Sequence, residues 1–121
     1  MRFGCLTLGH AHSADEDGGA IQDQLAQSCF AETVGFDGIW LTEHNFTGES
    51  VYCDPIPFAS ALAMRTSRIR IGFAVIQLAL RHPIRLAIQL ALLDNLCDGR
   101  LGEAGLGHLG LDGAAVLLGR G

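Results

Sequence analysis

The chain has 121 residues, with eight Lys plus Arg against 13 Asp plus Glu and a formal net charge of −5; all eight cations are Arg. That balance lacks the basic footprint that nucleic acid or an anionic membrane surface requires, so both are excluded as partners. With 49 % apolar residues, 17 % charged residues and a mean hydropathy of +0.30, the chain should bury a core as one domain.

In chain order, Arg2 to Leu8 is short and mostly apolar, as a strand buried in a parallel sheet would be, and Gly9 ends it. Between Ala20 and Val34 the apolar residues Ile21, Leu25, Cys29, Phe30 and Val34 recur at helical spacing, with Gly35 as the residue just past the end. Phe36 to Thr42 reads as a second strand, after which Glu43-His44-Asn45-Phe46 changes the chemistry abruptly. Asp54-Pro55 supplies an N-cap and a proline at the first helical position, followed by the stripe Ile56, Ala59, Leu62 and Ala63 up to Met64 or Arg65. Ile69, Ile71, Phe73 and Val75 alternate with Arg68, Arg70, Gly72 and Ala74, a third strand with small groups on one side. Pro83 opens a third helix with Ile84, Ala87, Ile88, Ala91 and Leu92 on one face, closed by Asp98-Gly99. Arg100 to Leu106 reads as a fourth strand, and residues 107–121 form an atypical Gly-rich tail, the expected sign of a truncated or frame-altered end.

Strands alternating with helices at the spacing of βαβ units predict a parallel sheet with right-handed crossovers. The repeat alone leaves open a doubly wound sheet or part of a barrel. A barrel fragment would expose unpaired strand edges, which favours a dimer. The longest strongly apolar run, around Ala74 to Leu80, is far short of the roughly 20 residues that cross a bilayer, and no leader pattern opens the chain, so the expected location is cytoplasmic. Cys5, Cys29, Cys53 and Cys97 form no C-x-x-C pair and are expected to be reduced thiols.

The chemistry gathers where the strands end. His10 and His12 follow the first strand, Glu43 and His44 the second, Gln77 the third and His108 the fourth, while His82 precedes the third helix. In parallel α/β folds those ends form the site. His44 is the leading candidate for proton transfer, because its ordinary pKa lies near neutrality and a carboxylate stands beside it. Glu43 could orient His44 or be tied to an arginine. His10-Ala11-His12 supports an alternative, a metal-dependent barrel hydrolase, since alternate residues can point to one side. A non-catalytic fragment is the other alternative.

The stretch Gly35-Phe36-Asp37-Gly38-Ile39-Trp40-Leu41-Thr42-Glu43-His44-Asn45-Phe46 resembles the G-F-D-x-[VI]-W-x-x-E-H-[HN]-F signature of the bacterial-luciferase-like flavin monooxygenases. Thr66 to Gly72, Ala74-Val75, His82-Pro83 and Leu93 to Leu101 resemble that family's following blocks in the same order, and the likeness runs from Met1 to about Leu106. The resemblance implies a (β/α)8 barrel of which this chain holds the N-terminal portion, about four β/α units. It also implies a reduced flavin, FMN or the deazaflavin F-420, acting with oxygen or a small organic substrate and supplied by a reductase. His44 matches the family's catalytic histidine, with Glu43 beside it. Ala74 and Val75 match a pair the family often joins by a non-prolyl cis peptide beneath the flavin ring. The family's phosphate-binding Arg in a G-x-G-R-G-like stretch has no direct counterpart, because His108 falls near that position and Arg120 comes a dozen residues later. His108 and Arg120 are the candidates for that contact.

Overall fold

The computed structural model describes residues 1–45 and 50–102. Three strands, β1 (Gly4–Thr7), β2 (Gly38–Leu41) and β3 (Arg70–Phe73), pair in parallel in the order β1-β2-β3. Helices α1 (Asp17–Thr33), α2 (Pro55–Ala63) and α3 (Pro83–Leu96) follow them in turn, with single 3₁₀ turns at Ala14–Glu16 and Leu78–Leu80. Leu101 makes a parallel bridge to Ile71 on the far side of β3, where the fourth strand is expected to begin. The rest of that expected strand, the tail, His108 and Arg120 lie outside the described residues.

Register decides the architecture. Ile39 pairs with Ile71 and Leu41 with Phe73. All four side chains are buried on the helical side, with Ile69, Leu62 and Leu93 packed among them. The opposite face stays open, since Leu6 is 61 % exposed and its cross-strand neighbour Trp40 is only half-buried. A doubly wound sheet carries helices on both faces. A sheet covered on one face only is a segment of barrel wall, its bare side being the barrel interior.

The strands are shorter than their apolar runs because competing bonds take their ends. Asp37 Oδ2 accepts the Phe3 amide at 2.7 Å, and the Asp37 amide donates to the Phe3 carbonyl at 2.8 Å. Phe36 belongs to the end of α1, its amide reaching back to the Ala31 carbonyl at 3.0 Å while Gly35 takes φ +94°. This six-to-one bond over a left-handed glycine is the Schellman motif. At the end of α2, Arg100 donates to the carbonyls of Ala63, Thr66 and Ile69 and to Thr66 Oγ1, all within 3.0 Å. These are carbonyls the helix and loop leave without partners.

Two helical faces differ from expectation. In α1 the core takes Leu25, Ser28 and Ala31, and Phe30 and Val34 are exposed. In α3 the buried set is Leu86, Leu90, Leu93 and Asp94, with Cys97 just beyond the helix. Ile84, Ile88 and Leu92 point away, at 66, 60 and 61 % exposure. Both stripes of α3 have helical period, so spacing cannot rank them. The side toward the core is taken by the leucines. The α2 expectation holds throughout: Asp54 caps the Ile56 amide at 3.0 Å, and Ile56, Ala59, Leu62 and Ala63 are all buried. All four cysteines are free thiols, and burial pushes the Cys97 thiol above its ordinary pKa.

Candidate active site

The residues beyond the C-terminal ends of β1, β2 and β3 converge on the mouth of the open face. At the floor, Trp40 lies crosswise over neighbouring strands, and the glycines beneath it explain why the alternate side of β3 is small. A Cβ built on Gly72 would lie 2.0 Å from Trp40 Cζ3, and one on Gly4 would lie 2.4 Å from its Nε1. Above it, the β1 end is held by a hydroxyl knot. The Tyr52 hydroxyl donates to the Thr7 carbonyl at 2.9 Å, and Thr42 Oγ1 donates to the same oxygen at 3.1 Å. The Tyr52 ring stacks on Phe58 of α2.

Glu43 stands one residue past that knot. Its residue is 4 % exposed, and a carboxylate so buried requires partners. Oε1 accepts from Arg81 NH2 at 2.8 Å and from Asn45 Nδ2 at 3.1 Å, and Oε2 accepts the Gln77 amide at 2.6 Å. Arg81 also donates to Asp54 Oδ1 at 2.9 Å, so the α2 cap and the β2 end share one guanidinium. Burial works against the charge on Arg81. The hydrogen bonds that Arg81 donates to Asp54 and Glu43, with their negative charges, outweigh burial and raise the Arg81 pKa above its ordinary value.

His44 follows, half-buried, at the rim. On the adjacent strand the Ala74-Val75 peptide is cis, and Val75 leaves the alternation of β3, 53 % exposed beside the open face. His44 and the Ala74-Val75 segment thus leave neighbouring strands at the same end of the sheet. His10 and His12 are exposed beyond β1, with rings edge to face at a centroid distance of 5.4 Å. Among the described residues no group of three or more His, Cys, Asp or Glu is arranged to hold a metal ion. His82 is exposed at the N-cap position of α3, and its side chain makes no capping bond.

Spacing singled out Asp54 only as the cap of α2, did not single out Arg81, and left Gln77 without a role. Their link to Glu43 spans 34 residues for Gln77 and 38 for Arg81, beyond any local pattern. One signal was available, because a carboxylate directly after a buried strand calls for a cation.

The limonene 1,2-monooxygenase of Rhodococcus erythropolis is 39 % identical to this chain over 91 residues, covering 74 % of this chain and 24 % of that enzyme. A monooxygenase of Streptomyces bottropensis superposes with a TM-score of 0.76 at 31 % identity, covering 84 % of this chain and 31 % of that one. The oxygenating constituent of 3,6-diketocamphane monooxygenase from Pseudomonas putida, solved in complex with FMN, shares the fold with a TM-score of 0.74. It is 22 % identical and is matched over 84 % of this chain and 28 % of its own. The chain therefore spans about a quarter to a third of the length of these proteins. Their kinship displaces the metal-hydrolase alternative and identifies the fold as the N-terminal portion of a (β/α)8 barrel. The family model for luciferase-like monooxygenases matches residues 1–108, and the chain belongs to that family.

Proposed function

We propose that the chain serves a flavin-dependent oxidoreductase, in which His44 assists proton transfer and the Ala74-Val75 segment lies against the cofactor ring. The observation that carries this reading is the juxtaposition of half-buried His44 with exposed Val75 at the ends of adjacent strands, above an open apolar face. That face fits a flat aromatic group. Leu6, Leu8 and Val75 present apolar surface, and Ala74 is exposed beside Val75. When bound, a reduced flavin, FMN or the deazaflavin F-420, supplies the electrons for reaction with oxygen or for hydride transfer to a small organic substrate.

The chain's own residues then have separate tasks. His44 can donate or accept a proton at a ring nitrogen. Glu43, expected beside it as a catalytic group, is tied to Arg81, Asn45 and Gln77, and we assign it to holding the loop. The apolar face excludes water from the ring. A separate reductase delivers the reduced cofactor. Phosphate contacts by His108 and Arg120 remain part of the proposal on the family resemblance alone.

We also assign the protein to the cytoplasm as a dimer. No helix among the described residues is long and apolar enough to cross a membrane, and the four thiols are unpaired. The exposed residues Pro57 and Ala61 lie on α2 and Met64 at its C-cap, and Ile84, Ile88 and Leu92 lie on α3, which packs against it. Together they offer a largely apolar surface, with exposed Arg85 among them, for a second copy.

The test is a fluorescence titration of the purified chain with FMN and with F-420, oxidised and reduced, alongside His44→Ala. Saturable one-to-one binding, with His44→Ala slowing turnover by about 100-fold while changing affinity far less, is the expected result. Parallel losses of turnover and affinity would make His44 structural. A folded chain that binds neither cofactor would be a non-catalytic fragment.

A further inference from the structure

The backbone ladder between β2 and β3 stops where the Ala74 amide donates to the Leu41 carbonyl at 2.8 Å. Beyond it the Gln77 amide turns to a side chain, Glu43 Oε2, at 2.6 Å, and the Gln77 Nε2 donates back to the Glu43 carbonyl at 3.1 Å. A buried carboxylate thus replaces the ladder across the gap spanned by Val75 and Ile76. It splints the segment that bears Val75 to the one that bears His44. The splint is anionic and shielded from water, so its geometry depends on the cation that balances it.

That cation is Arg81, and its position is itself over-determined. NH2 reaches Glu43 Oε1 at 2.8 Å and Asp54 Oδ1 at 2.9 Å, while Asp54 Oδ1 also caps the first turn of α2. The Arg81 Nε is buried without a hydrogen-bond partner, so the ties run through the terminal nitrogens. One guanidinium therefore joins the end of β2, the start of α2 and the segment after β3.

We propose that Arg81 is a positioning residue of this site, acting through Glu43 to keep His44 and the Ala74-Val75 segment in fixed relation. The assignment rests on the flavin-site reading above for its purpose, but the linkage is testable without any cofactor. Two variants separate linkage from folding. Arg81→Met removes the guanidinium outright. Asp54→Asn keeps a good helix cap, since Asn and Asp cap about equally, but removes the charge that anchors Arg81.

Both are compared with the unaltered 121-residue chain by NMR, reading the His44 ring signals and amide hydrogen exchange. The expected result is changed His44 ring signals and Gln77 exchange faster by about 10-fold, with the Ile39 amide of β2 and the Ile71 amide, which donates to the Arg100 carbonyl, unaffected. Arg81→Lys should restore part of both. Should Arg81→Met fail to fold, Asp54→Asn decides alone. Uniform acceleration across the ladder, or unchanged His44 signals, would make Arg81 an ordinary stabilising contact and overturn the proposal. An FMN titration of the same samples separates the two readings. If the unaltered chain binds and both variants weaken binding by about 5-fold, both readings stand. If it does not bind, the cofactor reading falls, and the NMR result still decides the role of Arg81.

Discussion

Replacing Gly72 with alanine should destabilise the protein, although alanine is ordinarily the better residue within a strand. The added methyl would lie 2.0 Å from Cζ3 and 2.3 Å from Cε3 of Trp40, where carbon atoms normally rest about 3.5 to 4.0 Å apart. The indole must therefore move by about 1.5 Å. It cannot slide along the sheet toward β1, because its Nε1 already sits over Gly4 with no room for even a Cβ. It must lift off the floor. Overpacking of this kind costs about 1 to 3 kcal/mol, and relief of the glycine penalty returns about 0.5 to 1 kcal/mol, leaving a net loss of about 1 to 2 kcal/mol. With a urea slope of about 2 kcal/mol/M, the midpoint should fall by roughly 0.5 to 1 M. Trp40 is the only tryptophan, so its emission reports the displacement directly and should shift to the red. In a Trp40→Ala background, followed by circular dichroism, the same Gly72→Ala change should be neutral or stabilising. A Gly72→Ala protein with an undiminished midpoint and unchanged emission would refute the idea that the indole dictates the glycine.

Two further expectations concern acid stability and association. Burial acts to raise the Glu32 pKa, but the Ser67, Ile69 and Arg68 amides and the Ser67 hydroxyl outweigh it and lower it from 4.5 to about 2. Because the folded value is depressed, this stabilisation is present above about pH 4.5 and is lost as pH falls toward 2. Such a shift would be worth about 3 kcal/mol for a shielded group, and water screening reduces it to about 1 kcal/mol. Glu32→Gln should therefore lose about that much stability at neutral pH and flatten the acid limb of a urea-midpoint profile; an unaltered limb would mean that other carboxylates govern it. On α3, Ile88→Glu should leave the fold intact while shifting sedimentation toward monomer. If the sedimentation coefficient instead keeps the same concentration dependence as that of the unaltered chain, the exposed stripe is no interface.

The parts legible from the sequence are those with local causes. Asp54-Pro55 announces the start of α2 because capping is decided within one turn, and Gly35 marks the end of α1 because a left-handed residue there favours glycine. The parallel βα order followed from the repeat, which left barrel and open sheet undecided; the family resemblance implied the barrel, and the bare face under Trp40 supplies its physical reason. The buried side of α3 was illegible, since Ile84-Ile88-Leu92 and Leu86-Leu90-Leu93 are equally periodic. His44 could be singled out by its place after a strand. The partnership of Glu43 with Gln77 and Arg81 could not, because it is made across 34 and 38 residues. A cis bond between two non-proline residues has no propensity signal either. Only the family resemblance pointed to Ala74-Val75.

The opposite pole of the sheet carries no candidate chemistry but much of the stitching. Asp37 ties down the start of β1, Glu32 receives the Ser67, Arg68 and Ile69 amides ahead of β3, and Arg100 gathers the carbonyls behind α2. Several residues of the stretches that resemble family blocks therefore serve as fasteners, at the end of the sheet opposite His44. With the strands anchored at that end, loops at the mouth can lengthen, shorten or change composition without disturbing register. A barrel fastened in this way can be retuned for a new substrate at one rim while its foundation stays unchanged.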